Sequence, residues 1–355
     1  MAGAPGRAPH AVPDDRTTVT ELATALGTLG HRDLSAALAR RPAELAVDDA
    51  VWDELVALQA SGRFVAEFAT AFANGRAFLE AEDGLRGRLP RLIEWTGGRR
   101  PPGDEIAPVD LRIDHVYLVS CKYLSRNIAN PSPARLFDGL LATVGAWDQT
   151  DWYQVVAPDE HRALYDACRR AVGLEGLPDD PGALDAEQRR RLRRALPGRA
   201  LPPEARPAYR ALCARVSGAS ARRWRDNLDR AGAAERMVWR LLRIGNAAYF
   251  LLGADPRRSL RLRVASPWDW RQAYRFVALD VVAAEAGQPQ VNWSATYVER
   301  ATKRRCRVQG HVEVRWSHGR FAQPPEAKVY IDTPSDELPG YFPLERGARQ
   351  PELWE

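Results

Sequence analysis

Cysteine is scarce in this chain of 355 residues. The four that occur, Cys121, Cys168, Cys213 and Cys306, lie far apart, with no CxxC and no nearby His pair. That excludes zinc ribbons and fingers and a disulfide-stapled scaffold, and free thiols in a reducing cytoplasm are the expectation. No apolar run approaches the roughly 18–20 residues needed to span a bilayer, so no membrane partner is expected. No apolar core follows Arg7, which argues against a secretory signal, and residues 1–16 read as a disordered lead. GxGxxG, Walker A, GxSxG and HExxH patterns are absent, which counts against nucleotide-binding folds and the commoner nucleophile and zinc enzymes. No internal repeat is visible.

Lysine is the sharpest shortage. Lys and Arg together number 51, and only Lys122, Lys303 and Lys328 are lysine, which leaves 48 Arg (51 − 3). Where Arg fills nearly every cationic position, a retained Lys is a candidate for a place that needs a compact point charge and cannot take a planar guanidinium. The net charge of +5 is too small to prove a polyanion partner. With 45% hydrophobic and 27% charged residues, the chain has the composition of an ordinary globular protein, long enough for about two domains.

Residues 17–60 carry three short amphipathic stretches and form a helical N-terminal part. Residues 61–149 begin with one amphipathic helix over 62–83. LPRLIEW reads as a further turn and TGGRRPPGDE as a loop. The run His115–Ser120 is almost continuously apolar and suits a central strand buried on both faces; a helix follows Pro133. Residues 150–243 form an Arg-rich helical insertion, with ten Arg against four acids in 201–243. In 244–355, NAAYFLLG and SLRLRVAS are strands, and SPWDWRQAYRFVALDVVAAEAG is a helix with Ser266 as N-cap and Pro267 at its first position. VNWSATYVER, RCRVQGHVEVRW and PEAKVYIDT are hairpin strands, ahead of a Pro-rich tail. This order predicts an α/β fold in which a mixed sheet is flanked by helices.

The segment that can carry chemistry runs from Asp110 through Ser120-Cys121-Lys122 to Asp138. If 109–111 and 116–123 are neighbouring strands joined by a tight turn, Asp110 lies opposite Ser120 or Lys122. Alternation then puts Ser120 and Lys122 on one face and Cys121 on the other. Two carboxylates and a Lys around one point describe a hydrolytic site for phosphodiesters. The acids hold a hard cation, and the Lys amine positions or deprotonates the attacking water, a role Arg cannot take because it stays protonated.

On Val109-Asp110 and, ten positions on, Ser120-Cys121-Lys122 ending an apolar strand, the segment resembles the PD-(D/E)XK nuclease superfamily. Ser120 stands where that pattern has an acid, as in its Ser-x-Lys variants, in which the next helix supplies the carboxylate; Asp138 would fill that place. The resemblance covers about residues 60–140. It implies a restriction endonuclease-like core, Mg²⁺ or Mn²⁺ as cofactor, and a Glu on the leading helix, for which Glu80 and Glu67 are candidates. It also implies Asp110 and Asp138 as metal ligands, with Ser120 orienting a ligand water. Asp114 competes with Asp110, because it shares strand parity with Ser120 and Lys122, although a straight strand would place it about 20 Å from Ser120.

A second pattern, Glu326-Ala327-Lys328 with Glu313 thirteen residues earlier, reads as a hairpin ion pair and is held as a reserve site. His115 reads as a core or edge residue, and His311 and His318 lack metal-ligand spacing. Lys303, Arg304, Arg305 and Arg307, in a turn between two strands, are candidate nucleic-acid contacts. RWRDNLDR and RMVWRLLR mix Arg with Trp at helical spacing and can also face a polyanion. The expected function is a cytoplasmic, metal-dependent endonuclease acting on DNA in restriction or phage defence, as a homodimer or beside a partner subunit. The alternatives are a non-catalytic nucleic-acid-binding protein with a degenerate nuclease fold and a structural subunit of a larger assembly.

Overall fold

The computed structural model describes residues 14–97, 109–123, 127–142, 151–196, 201–254 and 259–344. Residues 1–13 of the expected lead over 1–16, residues 98–105 of TGGRRPPGDE and all residues from 345 onward lie outside the described residues, whereas Asp15 and Arg16 are helical. The chain divides into two compact units. The first comprises residues 1–125, 244–270 and 340–355, and the second 126–243 and 271–339.

In chain order the first unit opens with α1 (Asp15–Gly27), α2 (Leu34–Arg40), β1 (Leu45–Ala46), α3 (Asp49–Ala60) and α4 (Val65–Glu80). The strands β2 (Ile93–Trp95), β3 (Leu111–Ile113) and β4 (Tyr117–Tyr123) follow. The second unit contributes β5 (Asn127–Ala129), α5 (Pro133–Phe137), α6 (Trp152–Val156), α7 (Pro158–Val172), α8 (Ala186–Ala195), α9 (Arg206–Ala231) and α10 (Ala234–Leu241). The chain then forms β6 (Tyr249–Ala254), β7 (Ser259–Val264) and α11 (Pro267–Ala273). The last strands are β8 (Tyr274–Glu285), β9 (Pro289–Glu299), β10 (Arg305–Arg315), β11 (Glu326–Ile331) and β12 (Tyr341–Pro343).

The first unit is built on a mixed seven-stranded sheet in the order β1-β2-β3-β4-β6-β7-β12. β2, β3 and β4 form an antiparallel meander, and β6 returns parallel to β4, with Val119 beside Phe250 and Lys122 beside Gly253. A parallel return needs a crossover, and here the chain from 124 to 248 supplies it. One face of the sheet is covered by the N-terminal helices. Val19, Leu22, Leu26, Phe68, Phe72 and Phe78 close on Ile93, Leu111, Val119, Phe250 and Leu252. Asp14 caps α1 by accepting the Arg16 N–H at 3.1 Å. α1 is buried continuously from Thr18 to Gly27, and it approaches α4 closely because both contribute glycine. A Cβ at Gly75 would meet the Thr24 carbonyl oxygen at 2.0 Å, and one at Gly27 the Phe72 carbonyl oxygen at 2.2 Å.

The second unit joins the helical segment to an antiparallel sheet, β8-β9-β10-β11, which the short edge strand β5 extends. α9, the longest helix, packs on β8 and β9. The sequence reads 244–355 as completing the core begun in 61–149, whereas the structure divides these residues between the two units. β6, β7 and β12 complete the first sheet, whereas β8–β11 pair with their immediate neighbours and β11 also takes the edge strand β5. The helix expected from Pro267 ends at Ala273. Ser266 caps it as expected, its Oγ accepting the Asp269 N–H at 3.2 Å, and the chain then continues as β8. The Phe276-Val277-Ala278-Leu279 and Val281-Val282 stretches have apolar spacing that fits a helix, but β-branched and aromatic residues next to a hairpin partner favour the strand. LPRLIEW ends as strand β2, not a turn. The helix after Pro133 is short, and Leu140 and Leu141 take left-handed backbone conformations beyond its end.

The fold is therefore α/β, with a helical N-terminal part and a largely helical stretch between β5 and β6. Among the described residues no helix is long and apolar enough to cross a membrane.

Candidate active site

The β3–β4 turn orders the two candidate aspartates. Asp114 and His115 occupy the turn itself with positive φ, and Asp114 Oδ1 accepts the N–H groups of Arg91 at 2.8 Å and Leu92 at 3.0 Å. Asp114 thus locks the turn to the preceding segment, at the end of the hairpin away from Ser120. His115 is an exposed turn residue paired with Glu94 at 3.1 Å.

Asp110 lies at the open end. Its backbone N–H reaches the Val119 carbonyl at 2.9 Å, and its Oδ2 accepts the Cys121 N–H at 2.6 Å and lies 3.4 Å from Ser120 Oγ. The carboxylate stands in for the next backbone acceptor of the ladder, where β3 gives out. Ser120 is 1% exposed. The expected meeting of Asp110 with Ser120 across the hairpin is therefore present, and alternation on β4 places Lys122 on the face of Ser120. β4 is the middle strand of its sheet, with Cys121 and Tyr123 packed against the helical core.

A second carboxylate acts on Asp110 from the opposite, Cys121 face of β4. Glu21, on α1, is 5% exposed and accepts the Trp95 indole N–H at 2.6 Å. Burial and the charge of Asp110 push its carboxyl up to about 8, against the lowering effect of the Trp95 hydrogen bond. Burial and the charges of Asp110 and Glu21 also push the Cys121 thiol upward, which keeps it protonated and removes it as a nucleophile. Below them, Tyr123 OH lies 3.1 Å from Thr24 Oγ1 and accepts from Asn74 Nδ2 at 3.3 Å. Asn74 Nδ2 also donates to the Gly253 carbonyl at 2.7 Å, and Arg261 Nε donates to Asn74 Oδ1 at 2.9 Å. This buried network joins α1 and α4 to β4, β6 and β7 and fixes the end of the strand that carries Lys122.

The leading-helix candidates Glu67 and Glu80 are paired elsewhere, with Arg16 at 3.2 Å and Arg76 at 3.7 Å. Glu21 escapes the sequence reading because it lies on α1, three helices upstream of α4. The available signal was a single acid inside the otherwise uncharged run from Thr17 to His31. Asp138, expected as a metal ligand, has other partners within the second unit. Arg223 Nε lies 2.5 Å from its carboxylate and Asn227 Nδ2 3.0 Å, in a depression that Asp226 and Arg230 also line. Among the described residues no three acid, His or Cys groups converge as a metal cluster.

In the second unit Glu313 pairs across the β10–β11 ladder with Lys328, whose Nζ is 2.8 Å from Glu326. Ser317 Oγ donates to Glu326 at 2.6 Å. Burial raises the Glu326 carboxyl, but these two hydrogen bonds outweigh it and hold the group below its ordinary value. Glu313 is held by Gln288 and Arg315. The reserve residues therefore meet as an ion-pair network. His311 Nδ1 is bound to Asp332 at 2.9 Å. Lys303, Arg304, Arg305 and Arg307 are all exposed at the β9–β10 turn and along β10. Trp224 and Trp239, from the Arg-Trp helices, are buried core residues and not a nucleic-acid face. Compared with protein-family models, curated proteins and solved structures, the chain matches none.

Proposed function

We propose that the first unit is a metal-dependent endonuclease that hydrolyses DNA phosphodiester bonds at the open end of the β3–β4 hairpin. The observation that carries this reading is the pairing of Asp110 with Ser120 at 3.4 Å, two residues before the retained Lys122, with Glu21 as a second buried carboxylate acting on Asp110. An antiparallel meander with a parallel fourth strand, β2-β3-β4-β6, supports the restriction endonuclease-like core.

The donor set fits a hard divalent cation. Two carboxylates are the number of protein ligands Mg²⁺ ordinarily takes, with water and phosphate filling the rest. Asp110, which touches both Ser120 and Cys121 at the end of β3, would hold it, with Glu21 as second ligand from the Cys121 face, and when bound it supplies an acidified water and a polarised phosphate. Ser120 orients a water through its hydroxyl. Lys122 places a compact positive charge beside the phosphate and stabilises the charge that grows in the transition state. Trp95 fixes the Glu21 carboxylate, and the Thr24–Tyr123–Asn74 network fixes the strand beneath it.

Purified protein incubated with supercoiled plasmid in Mg²⁺, Mn²⁺ or EDTA tests this. Metal-dependent nicking that disappears in Lys122→Ala and Asp110→Ala is the expected result. Cleavage that survives both substitutions, or none under any metal, overturns it. One observation favours a second reading, a non-catalytic nucleic-acid-binding protein: Asp110 already serves the ladder by accepting the Cys121 N–H, and Ser120 is buried at 1% exposure. Salt-sensitive DNA binding without cleavage would establish that alternative.

A further inference from the structure

The outer face of the second unit's sheet changes chemistry along its length. On β10, Val308, Gly310, Val312 and Val314 are buried, while Arg305, Arg307 and Gln309 are exposed on the opposite face. The register sets Arg275 of β8 and Arg305 of β10 on either side of Val298, and Ala278 and Arg307 on either side of Thr296. Arg300, Lys303 and Arg304 stand in the turn between β9 and β10. These six cations face one acid, Glu299, a formal +5 (6 − 1). One row further on, level with Gln309, stand the next acids of the face, Asp280 and Asp332, and beyond them come Glu313 and Glu326.

We propose that the β9–β10 turn and the two rows beside it bind the phosphate backbone of a nucleic acid, as a surface separate from the acid pair of the first unit. Among the described residues, Arg275, Lys303, Arg305 and Arg307 have no carboxylate partner, and Arg304 reaches Glu299 only at 3.9 Å. Arg305 and Arg307, one strand repeat apart, lie within a Debye length of about 8 Å and repel one another, a cost that a bound polyanion removes. The turn is stiff. Glu299 N–H donates to the Arg304 carbonyl at 2.9 Å, Lys303 N–H to the Glu299 carbonyl at 2.9 Å, and Thr302 Oγ1 to the Glu299 carboxylate at 2.5 Å. Lys303 takes a left-handed conformation with φ 60°. Arg307 Nη2 donates to Ser294 Oγ at 2.6 Å, which holds its guanidinium over the sheet.

Nucleic acid suits this surface better than an acidic protein because the charges repeat. Arg305 and Arg307 are one strand repeat apart, about 6.7 Å, close to two nucleotide steps of about 3.4 Å each. The neutral Thr296 on β9 between them offers a hydroxyl without base-reading geometry, so binding is sequence-independent.

The test is fluorescence anisotropy of a short labelled DNA duplex in EDTA buffer, where no metal-dependent cleavage can intervene. Log affinity should fall with log salt at a slope near −4, about 0.9 for each phosphate neutralised. Arg305→Glu with Arg307→Glu should weaken binding tenfold or more and lower the slope by about two. Thermal melting should change little, because both side chains are exposed, and Arg40→Glu, an exposed Arg on α2 of the first unit outside the acid pair, should bind like the wild type. Unchanged affinity in the double variant overturns the proposal. So does binding weakened as much by Arg40→Glu as by the double variant, or polyglutamate competing as well as DNA at equal charge, which would mark an acidic protein as the partner. Absence of cleavage in the plasmid assay would leave this surface standing, so the two readings fail separately.

Discussion

The carboxylate of Asp110 accepts the backbone N–H of Cys121 at 2.6 Å, so this side chain completes the β3–β4 ladder that its own backbone leaves unfinished. A structural role and a ligand role therefore meet on one residue, and two substitutions separate them. Asp110→Asn keeps an acceptor for Cys121 and should cost under about 1 kcal/mol, whereas Asp110→Ala leaves a partly buried donor unpaired at about 1–3 kcal/mol. Both should abolish metal-dependent cleavage. Chemical denaturation beside the plasmid assay reads the split, and cleavage retained in Asp110→Asn would remove Asp110 from the metal site.

Glu21→Gln probes the second carboxylate. The Gln amide oxygen can still accept the Trp95 indole N–H, so the geometry survives while the charge is lost. With its carboxyl at about 8 in the folded protein against 4.5 otherwise, Glu21 binds its proton more tightly when folded. It thus contributes stability that is complete below pH 4.5 and lost as pH rises towards 8. Metal-free Glu21→Gln should accordingly melt higher than the wild type at pH 8. Mg²⁺ should raise the wild-type melting temperature and leave the variant's almost unchanged, because half of the carboxylate pair is missing. Equal Mg²⁺ shifts in both would place the cation elsewhere.

His161 gives the second unit an acid-sensitive core. It is 1% exposed, its two ring nitrogens have no hydrogen-bond partner among the described residues, and it stacks on Phe321 at 5.5 Å beside Tyr153 and Trp316. Burial first, then the charge of Arg189, push its pKa down from 6.5 to about 4, and Asp180 opposes them. The unfolded chain takes up the proton first. Stability is therefore complete above pH 6.5 and lost as pH falls towards 4, by about 2 kcal/mol at pH 5. His161→Phe should remove this dependence. Melting curves between pH 7 and pH 5 check it, and parallel declines in variant and wild type would exclude His161 as the source.

How much of this was legible in the sequence depended on the range of the contacts. β4 and the approach of Asp110 to Ser120 were readable because a hairpin is local and strand alternation fixes its faces. Glu21 was not, since only the packing of α1 against the sheet brings it to Asp110, across 89 residues (110 − 21) of chain. The engagement of Asp138 by Arg223 is equally remote in sequence. The α11–β8 boundary was missed for another reason. Tyr274–Glu285 carries an apolar spacing compatible with either period, and the β9 partner that decides between them is tertiary information.

Gly253 tests how tightly the strand bearing Lys122 is held. The two residues are in register, and a Cβ at Gly253 would lie 1.8 Å from the Lys122 carbonyl oxygen, which is backbone and cannot swing aside. Gly253→Ala must part β4 from β6 and disturb the Asn74 bond to the Gly253 carbonyl, so a loss of about 1–3 kcal/mol or more is expected. Gly218→Ala in α9, where a Cβ would meet nothing closer than Arg222 at 3.5 Å, is the control and should be nearly silent in the same melts.

The last prediction uses the shortage of lysine. Lys122→Arg keeps a positive charge, but it replaces a three-donor ammonium with a planar fork that stays protonated and demands more room. If Lys122 acts on the attacking water, the Arg variant should lose at least about a hundredfold in cleavage rate, a loss typical of removing one positioned catalytic group. It should still bind DNA and melt near the wild-type temperature. Lys328→Arg, in the ion-pair network with Glu326, should change the rate little, because an Arg can satisfy Glu326 as well as a Lys. Comparable rates for Lys122→Arg and wild type would mean that only charge is needed at position 122, and the retention of Lys there would then owe nothing to catalysis.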